Sequence, residues 1–406
     1  MANILCAWEF GGGLGHLLQL IPVAENLAEA GHNILLAVPE PALALKLIKR
    51  AYVERGAIKL VQGPTWAAIS GINIQDVPMQ SMADVLGIFD FANGTKLKAI
   101  VDVWDNIIHS SRADLIVADS APTLRLAAGN KVPFVVIGNG YTIPPPHRRF
   151  PPIRPWESEI TPSSRAKEDA ILKAIHILQT QRSAVILPFV ADLFHGDQSF
   201  ICTCPEFDPY AAYRLAPPLR PHNSPMITKR LAIKDRQKER LFIYLPSQHP
   251  SLPEIFKALG RLKSEATAYI ANADYDKLRS FAPSSVHILD CPARFEDVLG
   301  SCRILIHHAG LSTAYAAMQA GAPQILLPQN LEHFITARKV TEIAGGIGKN
   351  VSHDPLTANN LISYIEYFTN PASWPKIEAA ANQIVPESPH KTLDAIIQNI
   401  LCLLRV

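Results

Sequence analysis

The sequence lacks a long hydrophobic run and a large excess of charge of either sign. No stretch approaches the ~18 uninterrupted apolar residues of a membrane-spanning helix, and the nearest one, AVILPFVADLF (184–194), is expected to be a core segment. The 38 basic and 36 acidic residues leave a formal charge of +2, which excludes a global field that recruits nucleic acid. The opening residues also lack the basic start and apolar run of a secretory signal. We therefore expect a cytoplasmic chain without a nucleic-acid partner.

Cysteine is scarce as well. The six cysteines are scattered along the chain, so they predict neither a disulfide scaffold nor a zinc site. Two of them, Cys202 and Cys204, form a single CxC pair without a second pair at ligand spacing. We interpret the cysteines as buried, reduced thiols, which are typical of a cytosolic protein.

Proline, by contrast, is abundant and helps to divide the chain. A length of 406 residues, with 48% hydrophobic and 18% charged residues, predicts a globular protein of two or three domains. Of the 33 prolines, the cluster from Pro205 to Pro225 excludes a helix or a central strand and is expected to be a linker. The predicted domains are 1–220 and 221–385, followed by a terminal helix in 386–406.

Both halves alternate apolar strands with amphipathic helices. In the first half, the predicted strands are NILCAWEF (3–10), NILLAV (33–38), DLIVAD (114–119) and PFVVIG (133–138). In the second half, they are LFIYLPS (241–247), ATAYIA (266–271), VHILD (286–290), RILIHH (303–308) and QILLP (324–328). This alternation predicts an α/β protein with two doubly wound, Rossmann-like domains that face a common cleft. Functional residues are expected directly after the strands, where ligands bind in such sheets.

The segment RILIHHAGLSTAYAAMQAGAPQILLPQNLEH (303–333) places small and polar residues at such a position. A strand ends at His308, and a loop with Gly310 leads into a helix that Ser312 and Thr313 are expected to cap. Free amides at a helix N-terminus bind phosphate or diphosphate groups. The loop alone is also consistent with an ordinary capped helix, but the whole unit is more constrained, because it continues through Ala-Gly-x-Pro to an acidic residue.

This segment resembles the donor-binding signature of GT-B nucleotide-sugar glycosyltransferases, in particular the UDP-glycosyltransferase and macrolide glycosyltransferase group. The resemblance implies that the nucleotide diphosphate is held by His308, Gly310, Leu311, Ser312 and Thr313. It implies that Glu332 binds sugar hydroxyls, beside His333, which stands where the family usually has glutamine. It also implies a position near the phosphates for Ser247 and a base-binding role for DCPARFEDVL (290–299), which contains Cys291. In this family the terminal helix packs back on the first domain.

One departure from the family concerns the nucleotide. The usual glutamate eight residues after the histidine contacts the ribose hydroxyls, and here that position is Ala316. Family members that use dTDP-sugars often lack this glutamate, since thymidine has no 2′-hydroxyl. Two hypotheses remain, a dTDP donor and a loss of donor binding, and we expect Ala316→Glu to improve UDP binding relative to dTDP.

The first half contains a glycine-rich loop, GGGLGH (11–16), before an apolar helix. The pattern Gly11-x-Gly13-x-x-His16 lacks the third glycine of a dinucleotide fingerprint, so a nicotinamide or flavin enzyme is only an alternative. The GT-B group places a histidine at this junction as general base for the acceptor, and a helix N-terminus favours its neutral form. Asp119 matches the acid that orients this histidine. The alternatives are capping roles for both residues.

These features together predict an inverting, metal-independent transfer of sugar from a dTDP- or UDP-sugar to a small-molecule or lipid-like acceptor, without a bound cofactor. The alternatives are a nucleotide-sugar hydrolase or epimerase of the same fold and a binding protein that has lost catalysis. Segments 61–110 and 141–200 are expected to shape the acceptor pocket. Within them, YTIPPPHRRFPPIRPW (141–156) is interpreted as a stiff surface loop or, alternatively, as a lid for an amphipathic or anionic acceptor at a membrane surface.

Overall fold

The computed structural model describes residues 1–12, 14–70, 77–225, 227, 230–236, 240–384 and 388–404. Contacts divide the chain into two compact units: the first extends to Asn223 and includes the C-terminal segment from His390, and the second comprises Ser224–Pro389. Gly13 of the glycine-rich loop lies outside the described residues, as do 71–76 of a segment predicted to shape the acceptor pocket.

The first unit is built on a parallel sheet. Its described strands are β1 (Asn3–Trp8), β2 (Asn33–Val38), β3 (Ile58–Gln62), β4 (Leu115–Asp119), β5 (Phe134–Gly138) and β6 (Gln198–Ile201). They are arranged in the order β3-β2-β1-β4-β5-β6. The central strands are buried over almost their whole length, as expected for strands covered by helices on both faces.

Helices cover this sheet. In the described residues they are α1 (Gly15–Glu29), α2 (Pro41–Leu47), α3 (Arg50–Glu54), α4 (Met82–Ile88), α5 (Gly94–Ser111), α6 (Pro122–Ala128), α7 (Pro162–Gln181) and the C-terminal α15 (Pro389–Leu403). Apolar residues of α1 pack on β1 and β4, and Leu393, Ile396 and Ile400 of α15 join the same core. The last helix therefore belongs structurally to the first unit.

The second unit repeats the arrangement. Its strands are β7 (Leu241–Pro246), β8 (Ala266–Ala271), β9 (Val286–Leu289), β10 (Ile304–His307), β11 (Gln324–Leu326) and β12 (Gly346–Gly348), in the order β12-β11-β10-β7-β8-β9. Its described helices are α8 (Leu252–Leu262), α9 (Tyr275–Phe281), α10 (Phe295–Leu299), α11 (Leu311–Ala320), α12 (Leu331–Glu342), α13 (Ala358–Thr369) and α14 (Trp374–Gln383). All of its strand pairs are parallel.

Each sheet has a point where the strand order reverses. In the first unit this point lies between β1 and β4, and in the second unit between β7 and β10. The loops that leave two such strands go to opposite faces of the sheet, which opens a crevice at the carboxyl ends. The predicted α/β class with two doubly wound parallel sheets is confirmed.

The proline-rich cluster predicted as a linker is instead largely a packed part of the first unit. Phe207, Asp208 and Tyr210 are fully or almost fully buried. Arg214 donates to Asp208 at 2.8 Å and to the carbonyl oxygens of Ile143 and Gly140. Proline prevents the regular backbone hydrogen bonding of a β-sheet, but it does not prevent burial. Here the buried Arg214–Asp208 ion pair supplies hydrogen bonds that strand pairing would otherwise give.

The interpretation of 141–156 as a surface loop is wrong for 142–145 and 150–153, which are buried. Ile143, Phe150 and Ile153 are fully buried, whereas 146–149 and Pro155 are exposed. The prediction of buried thiols needs correction too, because Cys291 and Cys402 are exposed. Within AVILPFVADLF, Val185 and Ile186 are exposed while 190–194 pack as a short 3₁₀ helix. No described helix is long and apolar enough to cross a membrane.

Candidate functional site

The crevice of the first unit contains a histidine–aspartate pair. His16 is the second residue of α1, and its Nδ1 lies 2.8 Å from Oδ2 of Asp119, the last residue of β4. Asp119 is completely buried, whereas the side chain of His16 is 13% exposed. Since an ionised carboxylate can only accept, His16 donates from Nδ1, and its Nε2 is left as the basic nitrogen. This geometry suits a general base with an orienting acid.

Residues of β1 and the following loop position the His16 ring. Trp8, which pairs with Asp119 in the sheet, stacks on His16 with ring centroids 4.9 Å apart. Gly11 has a positive φ of 96°, and a Cβ there would collide with Nε2 of His16. Only glycine therefore lets the loop pass so close to the basic nitrogen. The sequence analysis did not assign these roles to Trp8 and Gly11.

Glu9 is a further polar residue that the sequence analysis missed, although it directly follows β1. Its carboxylate is buried and accepts hydrogen bonds from the indole of Trp66 and from the backbone and hydroxyl of Thr123. Burial raises the pKa of Glu9 to about 7, and the hydrogen bonds oppose that rise. The strand predicted over 3–10 included Glu9, so its position after β1 became clear only in the structure.

Aromatic rings gather close to this end of the sheet. Phe10 stacks on Trp66 with centroids 5.4 Å apart, and Trp66 stacks on Phe91 at 5.1 Å. Phe89 meets Phe10 edge to face and is partly exposed. Three of these residues, Trp66, Phe89 and Phe91, come from the segment 61–110 that was predicted to shape the acceptor pocket.

The crevice of the second unit contains the loop from His308 to Thr313. The sharp turn occurs at Ala309, whose φ is 69°, and not at Gly310, whose φ is −61°. A Cβ at Gly310 would lie 3.1 Å from Nε2 of His308, so the His308 ring would have to shift by a few tenths of an ångström to admit a larger residue. Gly310 is also the N-cap of α11, and no side chain caps this helix. The predicted capping by Ser312 and Thr313 is thus wrong, because both already lie within the first helical turn.

Two of the predicted donor-binding residues meet beside this loop. The rings of His308 and His333 have centroids 4.7 Å apart, and Tyr244 of β7 lies 5.5 Å from His308. Glu332 and His333 lie in the first turn of α12, with Glu332 half-buried. β10 pairs with β11, so the segments that follow these strands are brought side by side. Ser247 follows β7 directly, and its backbone amide donates to Ala271.

The structure does not place Cys291 against His308. Cys291 is exposed and lines a groove beside α9 and β9, together with Arg279 and Asp290, which form an ion pair. Phe295, at the start of α10, contacts the residues around His308, because its ring packs on Tyr244 with centroids 5.2 Å apart. In the described residues there is no group of three or more potential metal ligands from His, Cys, Asp or Glu.

Ala316 is completely buried in a cluster with Phe242, Leu305 and Ala317. A glutamate at this position would bury a carboxylate without a partner. We therefore expect Ala316→Glu to lower the free energy of unfolding by about 3–5 kcal/mol, measured by urea unfolding, rather than simply to add a ribose contact. Ala379→Glu, at an exposed position of α14, is the matched control. Unchanged stability with tighter UDP binding would contradict this prediction and restore the ribose hypothesis.

Comparisons with known proteins agree with this architecture. Residues 253–392 match the family model described as erythromycin biosynthesis protein CIII-like, C-terminal domain. An L-demethylnoviosyl transferase of Streptomyces niveus is 21% identical over 403 residues, covering 94% of this chain and 89% of the relative. A vancomycin aglycone glucosyltransferase of Amycolatopsis orientalis is 25% identical over 193 residues, covering 44% of this chain and 45% of the relative.

Solved structures share the fold over nearly the whole chain. The calicheamicin glycosyltransferase CalG4 superimposes with a TM-score of 0.66 at 17% identity, covering 97% of each chain. The glycosyltransferase VinC, solved in complex with dTDP, superimposes with a TM-score of 0.61 at 15% identity, covering 98% of each chain. The chain has the GT-B fold and is a glycosyltransferase similar to the macrolide-type nucleotide-sugar enzymes.

Proposed function

We propose that the protein is an inverting, metal-independent glycosyltransferase that moves a sugar from a dTDP- or UDP-sugar to a hydroxyl group of a small or lipid-like acceptor. The observation that carries this proposal is the His16–Asp119 pair at the strand reversal of the first unit, with Nδ1 2.8 Å from the carboxylate. A base oriented in this way is what activation of a hydroxyl requires.

In the proposed reaction, Nε2 of His16 takes the proton of the acceptor hydroxyl as its oxygen attacks the anomeric carbon. The bond from that carbon to the phosphate oxygen breaks, and the nucleoside diphosphate leaves with the electron pair. One displacement inverts the anomeric configuration. The imidazolium that forms is stabilised by the buried carboxylate of Asp119.

The proposed donor site is the loop between β10 and α11 together with the start of α12. The N-terminus of α11, whose amides have no side-chain cap, would stabilise charge on the leaving diphosphate. Glu332 would hold sugar hydroxyls, and Ser247 would lie near the phosphates. A dTDP donor is supported by two structural neighbours that were solved with dTDP.

The proposed acceptor has an extended apolar or aromatic surface besides its hydroxyl. The support is the aromatic cluster of Phe10, Trp66, Phe89 and Phe91 at the end of the first sheet. Relatives named for vancomycin aglycone and for spinosyn aglycone act on or bind large organic acceptors, which is consistent with this class.

A thermal-shift titration tests the donor assignment. UDP, dTDP, GDP and NADH are added at matched concentrations, and ligand at about 100 times its Kd is expected to stabilise the native state by about 2.7 kcal/mol. We expect UDP or dTDP to raise the unfolding temperature by about 5 °C and GDP and NADH to leave it unchanged. Stabilisation by NADH alone would overturn the proposal in favour of a dinucleotide enzyme.

Release of UDP or dTDP from the nucleotide sugar then separates the remaining alternatives. A transferase releases the diphosphate only when an acceptor from a panel of phenolic and polycyclic alcohols is added. Release without an acceptor would identify a hydrolase instead. Binding of the nucleotide without release under any condition would indicate a protein that has lost catalysis, an alternative that the departures at Ala316 and His333 motivate.

A further inference from the structure

Four histidines lie around the proposed donor site, and they fall into two kinds. His249 and His307 have both ring nitrogens engaged. His249 donates to the carbonyl of Leu327 at 3.0 Å and accepts from the amide of Ser251. His307 donates to Oε1 of Gln324 at 3.0 Å and accepts from the amide of Ala309. His307, the last residue of β10, and His249, in the segment after β7, therefore have structural roles.

His308 and His333 are different. Their rings lie 4.7 Å apart between centroids, and Nδ1 of each is buried without a hydrogen-bond partner among the described residues. A buried polar nitrogen without a partner costs about 1–3 kcal/mol. Two such atoms on neighbouring rings, close to the N-terminus of α11, are groups that a polar ligand would satisfy.

In the free protein both imidazoles are neutral. Burial lowers the pKa of His308 to about 4, with a further contribution from His249. Burial also lowers the pKa of His333 well below its usual range, and His308, His307 and His249 add to this effect. Tyr244 of β7 also lies beside the pair, and a hydrogen bond of His308 to the Tyr244 backbone opposes the lowering of the His308 pKa. Glu332 precedes His333 in the sequence of α12.

An anion bound beside the pair favours the protonated form of the imidazoles over the neutral form. Negative charge within a few ångströms stabilises an imidazolium and raises its pKa. At a separation of 4.7 Å between rings, a second proton would be repelled by the first, so the pair holds one proton between its two members. The nucleotide sugar supplies the negative charge through its two phosphates.

We propose that His308 and His333 form an imidazole pair that takes up a proton when a nucleoside diphosphate sugar binds, so that donor affinity increases as the pH falls. This inference rests on the proposed function, because it assigns the diphosphate to this site. In this proposal His333 can hold a proton, which the glutamine usual at this position of the family cannot do. The pair acts on binding of the donor and takes no part in the deprotonation of the acceptor.

Isothermal titration calorimetry tests the uptake directly. Binding of UDP-glucose and dTDP-glucose is measured in buffers of different ionisation enthalpy between about pH 5.5 and pH 8. Both phosphates of a nucleotide sugar are esterified and keep their charge over this range, so protons taken up enter the protein. We expect an uptake of about half a proton near neutral pH and an affinity that rises about three-fold for each unit of pH decrease.

A variant assigns the proton to the pair. His333→Gln preserves a hydrogen-bonding side chain but cannot be protonated, so we expect it to bind the nucleotide sugar with much less proton uptake. His353→Gln, at an exposed position of the same unit, is the matched control and should behave as wild type. Wild-type proton uptake in His333→Gln would overturn the assignment. Should that variant unfold, the histidine ring resonances of the wild type, titrated with and without donor, give the same answer.

The outcomes distinguish a failure of the imidazole pair from a failure of the donor assignment. Binding of either nucleotide sugar to the wild type without proton uptake overturns only the imidazole pair. No binding of either nucleotide sugar at any pH overturns the donor assignment of the proposed function, and the pair with it.

Discussion

Replacing His16 with alanine is expected to lower the rate constant of sugar transfer by about 10²- to 10⁴-fold, the range that a positioned general base contributes. The physical reason is that the acceptor hydroxyl would have to lose its proton to water. Binding of UDP or dTDP should remain close to that of the wild type, since the residues proposed to hold the donor belong to the other unit. Transfer is measured as product formed with the best acceptor of the panel, and donor binding by thermal shift.

A control is needed because the substitution leaves the buried carboxylate of Asp119 without its partner. His109→Ala removes an exposed histidine of α5 in the same unit and should leave both transfer and stability unchanged. Circular dichroism and the unfolding temperature show whether His16→Ala remains folded. Transfer at the wild-type rate in a folded His16→Ala protein would rule out His16 as the base.

Replacing Asp119 with asparagine is expected to lower the rate constant of transfer by about 10²- to 10⁴-fold, because the amide carries no charge to stabilise the imidazolium. Asparagine has nearly the same volume, so the packing at the end of β4 is kept. Its amide group can also present N–H to Nδ1 of His16 and favour the other tautomer, which places the proton on Nε2. The measurement is again the rate of transfer with saturating donor.

Two comparisons make this prediction specific. Asp114→Asn, an exposed position just before the start of β4, is the matched control and should transfer sugar at the wild-type rate. In a His16→Ala background, Asp119→Asn should have little further effect, since residues that act as one unit are not additive. If the double variant loses activity by the product of the two single-variant factors, Asp119 acts independently of His16.

The strands that could be predicted from the sequence are those with a continuous apolar run. The bounds predicted for β2 and β8 are those of the structure, and the other predicted strands, β1, β4, β5, β7, β9, β10 and β11, differ only by residues at their ends. The strands that were missed are β3, β6 and β12, all at sheet edges. An edge strand has one unpaired side and is partly exposed, so IKLVQ, QSFI and GIG carry no continuous apolar signal.

The candidate site, like the set of strands, was only partly predictable from the sequence. His16, Asp119 and the loop from His308 were found because they follow strands and match a family signature, and the structure places each at a strand reversal. The stacking of Trp8 on His16 and the buried Glu9 were not found. A tryptophan and a glutamate at the end of an apolar strand carry no pattern that distinguishes them from core and surface residues.

The sequence by itself determined the α/β class, the two doubly wound sheets and the positions of the polar loops, because apolar runs, helical periodicity and turn residues are local properties of the chain. Only the tertiary structure decided which polar atoms lose water and which partners they find. It buried Ala316 and half of 141–156, exposed Cys291, and left His308 and His333 side by side, each with an unpaired ring nitrogen. Burial and hydrogen bonding depend on neighbours that packing brings together from distant parts of the chain.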